Sequence, residues 1–250
     1  MVELRTDYLA IFNSSARSDT RFWERHGGMP CLKGCTVVDV GCGMGKLCVE
    51  IAQAGAAKVV GIDIEQKYIT FAVENLKQNY PHLQDVLEFK CMHLKDYDQA
   101  EALDYVVAKD SFEHVIDLAG MINEIKKRLK PGGRLYAGFG PLWKSAYGDH
   151  WMTKSIIPWG HLLKTESMII KGLRRRMERE INSIDDLHLN RLAFADYRRL
   201  FRESGLEIVR LEINQSRNII SKLFSLLRKM PFLEEYFTHN IFCILEKSET

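Results

Sequence analysis

The sequence predicts a doubly wound α/β fold around a mostly parallel sheet. Three observations carry that expectation. From residue 36 onward, short runs rich in valine and isoleucine alternate with longer segments of helical period. Most of those runs are apolar throughout rather than at every second residue, the pattern of strands covered on both faces. The first run, VVDV, leads into a glycine-rich turn and at once into a helix. Buried strands separated by helices imply parallel pairing through right-handed crossovers.

Thr36–Val40 is the first expected strand, its apolar character broken only by Asp39. Lys46–Ala54 reads as a helix that turns Leu47, Val49, Ile51 and Ala52 toward the sheet. Lys58–Asp63 is the second strand, and Gln66–Asn79 a helix with Ile69, Phe71, Ala72 and Leu76 inward. Val86–Met92 and Leu103–Ala108 follow as strands, then Val115–Leu129 as a helix. Lys130-Pro131-Gly132-Gly133 reads as a turn before the fifth strand, Arg134–Phe139. Residues 140–192 then break the rhythm, a gap far beyond the roughly 2–6 residues of an ordinary α/β connection. The pattern resumes with a helix over Ala193–Ser204, stopped by Gly205, and an alternating strand over Leu206–Asn214. Ile219–Lys229 is amphipathic, and Asn240–Glu246 is the last of seven strands. The expected organisation is one domain over 1–250. It has a helical cover at 1–35, an insertion at 140–192 and a smaller helical insertion at 215–239.

Composition excludes several classes. The 250 residues suffice for a full core, and 27% charged residues with a net charge of +2 do not describe a dedicated nucleic-acid binder. No apolar run approaches the roughly 18 residues of a transmembrane helix. The N-terminus, MVELRTDYLAIFNSSARSD, lacks the long apolar core of a signal peptide, so a cytoplasmic protein is expected. Six scattered cysteines fit reduced thiols better than a disulfide framework. Cys31, Cys35, Cys42 and Cys48 do not have the spacing of paired zinc knuckles.

The turn reads VVDVGCGMGKL, with Gly41, Gly43 and Gly45 between strand and helix. Glycines there let the backbone turn tightly and approach a ligand with no Cβ in the way. The free N–H groups of the new helix favour a negative or polar ligand group. A dinucleotide fingerprint would place its last glycine at position 46, which is Lys46, and this counts against a nicotinamide oxidoreductase. Asp63 ends the second strand, at the distance where nucleotide-binding α/β folds place an acid on ribose hydroxyls. An N-cap for the next helix is its alternative role.

VVDVGCGMGK, VVGIDI, LDYVVAKDSFEHV and LKPGGRLYAGF together resemble the class I S-adenosylmethionine-dependent methyltransferases over residues 36–139. LAFADYRRLFRESGLEIVRLEI and NIFCILEK resemble that family's last helix and antiparallel final strand pair. The resemblance implies S-adenosylmethionine as cofactor. Asp39 and the Gly41–Gly45 backbone would hold its methionine end, Asp63 the ribose and Ile64 the adenine. Where many members carry Gly-Asp after the third strand, this chain has Cys91-Met92-His93. Met92 or His93, or the backbone, would then meet the adenine. Lys109 and Asp110 occupy the segment that lines the methionine. Asp110 and Glu113 are also spaced as a capping box for the helix that follows.

The acceptor is less legible. Residues 109–112 read Lys-Asp-Ser-Phe, without the motifs of amino-directed or cytosine-C5 nucleic-acid enzymes. A small-molecule acceptor is expected, methylated at oxygen, with nitrogen or carbon as alternatives and with natural-product or sugar modification as the setting. The stretch GPLWKSAYGDHWMTKSIIPWGHL begins where the fifth strand exits beside the cofactor crevice. Trp143, Tyr147, Asp149, Trp151 and Trp159 are its candidate substrate wall. His150, next to Asp149, is the first candidate base and His161 the second. The alternative is a capping loop whose histidines bond only to backbone. No metal site is assigned; His150, His161 and Asp149 or Asp110 form the alternative ligand set. Glu166–Ile181 reads as a helix whose other face, with Lys171, Arg174, Arg175, Arg176 and Arg179, is either solvated or a rim for an anionic acceptor. Ile219–Phe237 reads as a lid or homodimer contact, with membrane-surface docking as the alternative.

Overall fold

The computed structural model describes residues 5–14, 16–98, 100–175, 181–214, 219–230 and 232–249. Two helices, α1 (Thr6–Ser14) and α2 (Ala16–Arg25), precede β1 (Thr36–Val40). The alternation continues through α3 (Lys46–Gln53), β2 (Lys58–Asp63), α4 (Gln66–Asn79), β3 (Leu87–Cys91), β4 (Leu103–Lys109), α5 (Leu118–Arg128) and β5 (Leu129–Phe139). After α6 (Glu166–Arg174) come α7 (Phe194–Glu203), β6 (Glu207–Ile213), α8 (Ile219–Leu227), α9 (Glu234–Phe237) and β7 (Ile241–Glu246). The described residues form a seven-stranded sheet in the order β3-β2-β1-β4-β5-β7-β6. The first five strands pair in parallel, and β7 runs antiparallel between β5 and β6. The predicted fold class is the observed one.

Alternation along the strands divides the core. Val38, Val40, Val60, Ile62, Val106 and Ala108 face one apolar cluster with Ile122 and Ile125 of α5 and Phe194, Tyr197 and Phe201 of α7. Val37, Val59 and Val107 face another, made with Phe12, Phe22, Trp23, Leu47, Ile51 and Phe71. The sheet is therefore covered on both faces, which is why its strands are apolar throughout. Part of 140–192 packs separately, with Ile169, Leu173, Ile181, Ile184, Leu187 and Leu189 as a small satellite core.

Two expectations change in detail. The Lys-Pro-Gly-Gly segment lies within β5 as a bulge: Leu103 pairs with Leu129, and Tyr105 next with Arg134. The helix expected from Val115 begins at Leu118, capped by Asp117, whose Oδ1 accepts the Gly120 N–H at 2.9 Å. Asp110 and Glu113 make no capping box for it, because Phe112–His114 is a separate turn of 3-10 helix.

The chain runs outward from β1 to β3, then returns to β4 on the other side of β1. At such a switch point the flanking connections diverge and leave a crevice at the carboxyl ends of the strands.

Candidate functional site

The glycine turn sits at that switch point. Gly41 and Gly45 have φ of 75° and 81°, conformations that L side chains rarely adopt. A Cβ on Gly41 would come within 2.7 Å of the Ser111 Cβ, and one on Gly45 would run into the Phe89 ring. Turn and neighbouring loops are stitched by Asp63: its Oδ2 accepts the Gly43 N–H at 2.8 Å and its Oδ1 the Glu65 N–H at 2.9 Å. Asp63 is not the N-cap of α4, which is Glu65; it orders the approach to that helix and lines the larger cavity.

Two cavities flank the turn. The larger, about 550 Å³, is lined by Gly41, Gly43, Asp63, Ile64, Met92 and His93 at one end and by Ser111, His114, Met121, Leu187 and His188 at the other. The smaller, about 230 Å³, is lined by Ile11, Phe12, Asp19, Asp39, Met44 and Lys109. They share Gly41, Gly43, Tyr68 and Asp110. Nine of the ten expected cofactor residues line one or both; Gly45 lies behind the turn, at the start of α3.

Polar groups around the cavities are under-partnered. Asp39 is 2% exposed, and its Oδ2 accepts only a weak S–H bond from Cys48 at 3.2 Å. Burial pushes its carboxyl up to about 7, against the pull of the Cys48 thiol and Lys109. Lys109 reaches Asp110 at 3.0 Å and Asp19, on α2, at 3.4 Å. Ser111 Oγ and Glu113 Oε2 are buried with no hydrogen-bond partner. Glu113 Oε1 accepts the Gly140 N–H at 3.1 Å, and burial pushes that carboxyl up to about 8. The acid that spacing marked as a cap instead ties the exit of β5 to the exit of β4.

The expected acceptor residues stand elsewhere. None of Trp143, Tyr147, Asp149, Trp151 and Trp159 lines either cavity. Trp143 packs edge-on against His161 at 5.1 Å, and Tyr147 stacks on Trp151 at 4.0 Å. Trp159 donates its indole N–H to Tyr236 O at 3.2 Å and packs against Phe237. Asp149 does not pair with His150. Its Oδ2 accepts from the Thr153 N–H, at 2.9 Å, and the Thr153 hydroxyl, and its Oδ1 lies 3.9 Å from His161 Nδ1. His161 is 2% exposed, with Nε2 2.7 Å from Trp143 O, and serves the loop's own packing.

His150 does approach the crevice. Its ring lies edge-on to His114 at 5.0 Å, and burial, with His114 next, pushes its pKa down to about 4. The insertion reaches the larger cavity through Leu187 and His188 rather than through its aromatics. Asn190 clamps that approach, donating to Phe112 O at 2.7 Å and Val115 O at 3.1 Å.

Sequence reasoning missed Asp19, His114 and His188 as cavity groups, and Glu113 as the buried acid directly behind them. Glu113-His114 directly after the fourth strand was the available signal, masked by its resemblance to a cap. Lys171 and Arg174 of α6, with Arg175 just past its end, line a separate open hollow with no residue in common with the crevice. Arg176 and Arg179 lie outside the described residues. Among the described residues no helix is long and apolar enough to cross a membrane.

Comparison with known proteins gives a domain and a fold for this arrangement. Residues 32–140 match the model of a methyltransferase domain. A ubiquinone biosynthesis O-methyltransferase of Bradyrhizobium diazoefficiens is 29% identical over 158 residues, 59% of this chain and 60% of that protein. One of Nitrobacter winogradskyi is 32% identical over 50% of this chain and 46% of that protein. The matches thus span about half to three-fifths of these relatives. The crystal structure of a putative S-adenosylmethionine dependent methyltransferase from Listeria monocytogenes shares the fold. It has a TM-score of 0.62 at 17% identity, covering 94% of this chain and all of that one.

Proposed function

We propose that this chain, whose residues 32–140 are a class I S-adenosylmethionine-dependent methyltransferase domain, methylates a hydroxyl oxygen of a small molecule. The observation that carries the proposal is the glycine turn opening onto two cavities with Asp63 at one and Asp39 at the other. These residues fit the cofactor. The cradle at Gly41 would be filled by a Cβ, and the buried, under-partnered Asp39 suits a cationic amino group. Asp63 would accept the ribose hydroxyls, with Ile64, Met92 and His93 around the adenine. Asp19 and Lys109 would order the amino-acid end. When bound, S-adenosylmethionine supplies an electrophilic methyl carbon on a sulfonium.

The chain's task is to place an acceptor oxygen in line with that methyl and to let its proton go. The corner of the larger cavity at His114, whose ring packs against His150, is our site for that oxygen. His150 is the candidate base of the two expected; His161 faces inward and is withdrawn from the role. An imidazole held near 4 removes a hydroxyl proton poorly by itself, so the corner needs help to favour the oxyanion. The relatives' name, O-methyltransferase, supports oxygen as the acceptor atom, and hydroxylated ubiquinone precursors are the acceptors to try first.

Isothermal calorimetry with S-adenosylhomocysteine, followed by mass spectrometry of acceptors incubated with methyl-labelled cofactor, tests this. One bound molecule per chain and a labelled O-methyl product are expected. Absence of binding, or label at carbon or nitrogen, overturns it.

A further inference from the structure

Glu113, His114 and His150 each offer one ligand atom, and the three atoms lie within 4.8 Å of one another. Ligands bonded at about 2.0–2.2 Å sit roughly 3–3.5 Å apart around a shared cation, so closure of at most about 1.3–1.8 Å completes the set.

Two further observations point to a ligand at this place. Glu113 is 3% exposed, and its Oε2 has no hydrogen-bond partner. A buried carboxylate oxygen left so is costly unless a cation or donor meets it. The histidines are also prepared. A carbonyl only accepts, so His114 donates from Nδ1 to His188 O at 2.8 Å, and His150 from Nε2 to Pro141 O at 3.2 Å. Each neutral ring thereby keeps its other nitrogen unprotonated, and backbone anchoring of the distal N–H is the usual support of a metal-binding histidine. The three residues come from the β4 exit and the insertion after β5, so the fold itself assembles them.

We propose that Glu113, His114 and His150 bind a divalent transition-metal cation, such as Zn²⁺ or Mn²⁺, whose open positions take the acceptor hydroxyl. Two imidazoles and one carboxylate suit such ions better than Mg²⁺ or Ca²⁺. The catalytic part rests on the O-methylation reading above. The cation would bind the hydroxyl oxygen and lower its pKa, and the proton would leave to water through the open cavity. The oxyanion's electron pair then forms the O–CH₃ bond as the C–S bond breaks, its pair staying on sulfur as a thioether. His150 is then a ligand in place of the base named above, and the cation supplies the help that the corner needs.

The experiment uses the tag-free full chain, dialysed against chelator, then titrated with Zn²⁺ and with Mn²⁺, with and without S-adenosylhomocysteine. One cation per chain is expected, with Mn²⁺ giving nitrogen hyperfine couplings by pulsed electron paramagnetic resonance. Glu113→Gln and His150→Ala should each weaken the cation at least tenfold while S-adenosylhomocysteine affinity stays within twofold, which also certifies their folding. Less than half a cation per chain, or equal affinity in wild type and a folded variant, overturns the proposal. If either variant fails to fold, His114→Gln replaces it under the same criteria. Cation binding without any O-methyl product would sink the functional reading and leave the metal site standing; product formation without a cation would do the reverse.

Discussion

The crevice and the aromatic loop treat buried polar groups in opposite ways. Around the crevice, Asp39 has one weak thiol donor, and Ser111 and Glu113 carry oxygens with no partner. In the loop, Asp149 takes two bonds from Thr153 and faces His161, whose other nitrogen bonds Trp143 O. Both regions bury acids at 2–3% exposure, so burial of the carboxylates does not separate them. Satisfaction does. A buried group with every valence met is structural, whereas one left short is poised for something outside the chain. By that criterion Asp149 and His161, two of the residues expected around the acceptor, support the loop, and the plain-looking Glu113 is poised for a ligand.

The largest test of this contrast is Asp39→Asn. The folded carboxyl titrates near 7 and the unfolded one near 3.8, so between those values the folded state holds more protons. Stability therefore falls as pH rises through that window and is flat above it. Removing the charge should stabilise the ligand-free protein at pH 8 by at most about 4 kcal/mol, and by little near pH 4. Urea unfolding at both pH values measures this, and an equal effect at the two would break the account. The same variant should bind S-adenosylhomocysteine more weakly.

Asp63→Ala comes next, expected to weaken S-adenosylhomocysteine about 10–100-fold, the worth of hydrogen bonds to a charged acceptor. Calorimetry that finds less than a threefold change would remove it from the ribose. Asp149→Ala should instead cost about 1–3 kcal/mol of stability, because the Thr153 groups lose their acceptor, with cofactor affinity intact. A loss of affinity comparable with that of Asp63→Ala would erase the distinction between the regions. The smallest effect belongs to Trp151→Ala. Its side chain is 56% exposed and outside both cavities, so stability should move by roughly 0.5 kcal/mol or less and turnover hardly at all. A large drop in turnover would restore the aromatic stretch as an acceptor wall.

Legibility follows the same divide. The strands, their succession along the chain and the glycine turn are readable because continuous burial, glycine spacing and the acid at the second strand's tip are local signals, as at Val37, Gly43 and Asp63. The insertion is not, because its side chains are placed by turns rather than by a repeating period. Nothing local distinguishes Trp143, turned into the loop, from Leu187, turned into the cavity. Glu113 was hidden for a different reason. Its spacing from Asp110 imitates a helix cap, and only the return of Gly140 beside it in space gives the carboxylate another task.

Lys109 ties α2 to the end of β4 through Asp19, while Ile11 and Phe12 of α1 close over the same small cavity. The two N-terminal helices thus form one wall of that cavity, tied to the sheet by an ion pair that faces into it. The consequence is one of timing: if cofactor exchange needs that wall to loosen, turnover would inherit the rate of loosening whatever the speed of the chemistry. Amide exchange in residues 6–25 should slow when S-adenosylhomocysteine is present, and Lys109→Met should quicken both that exchange and product release.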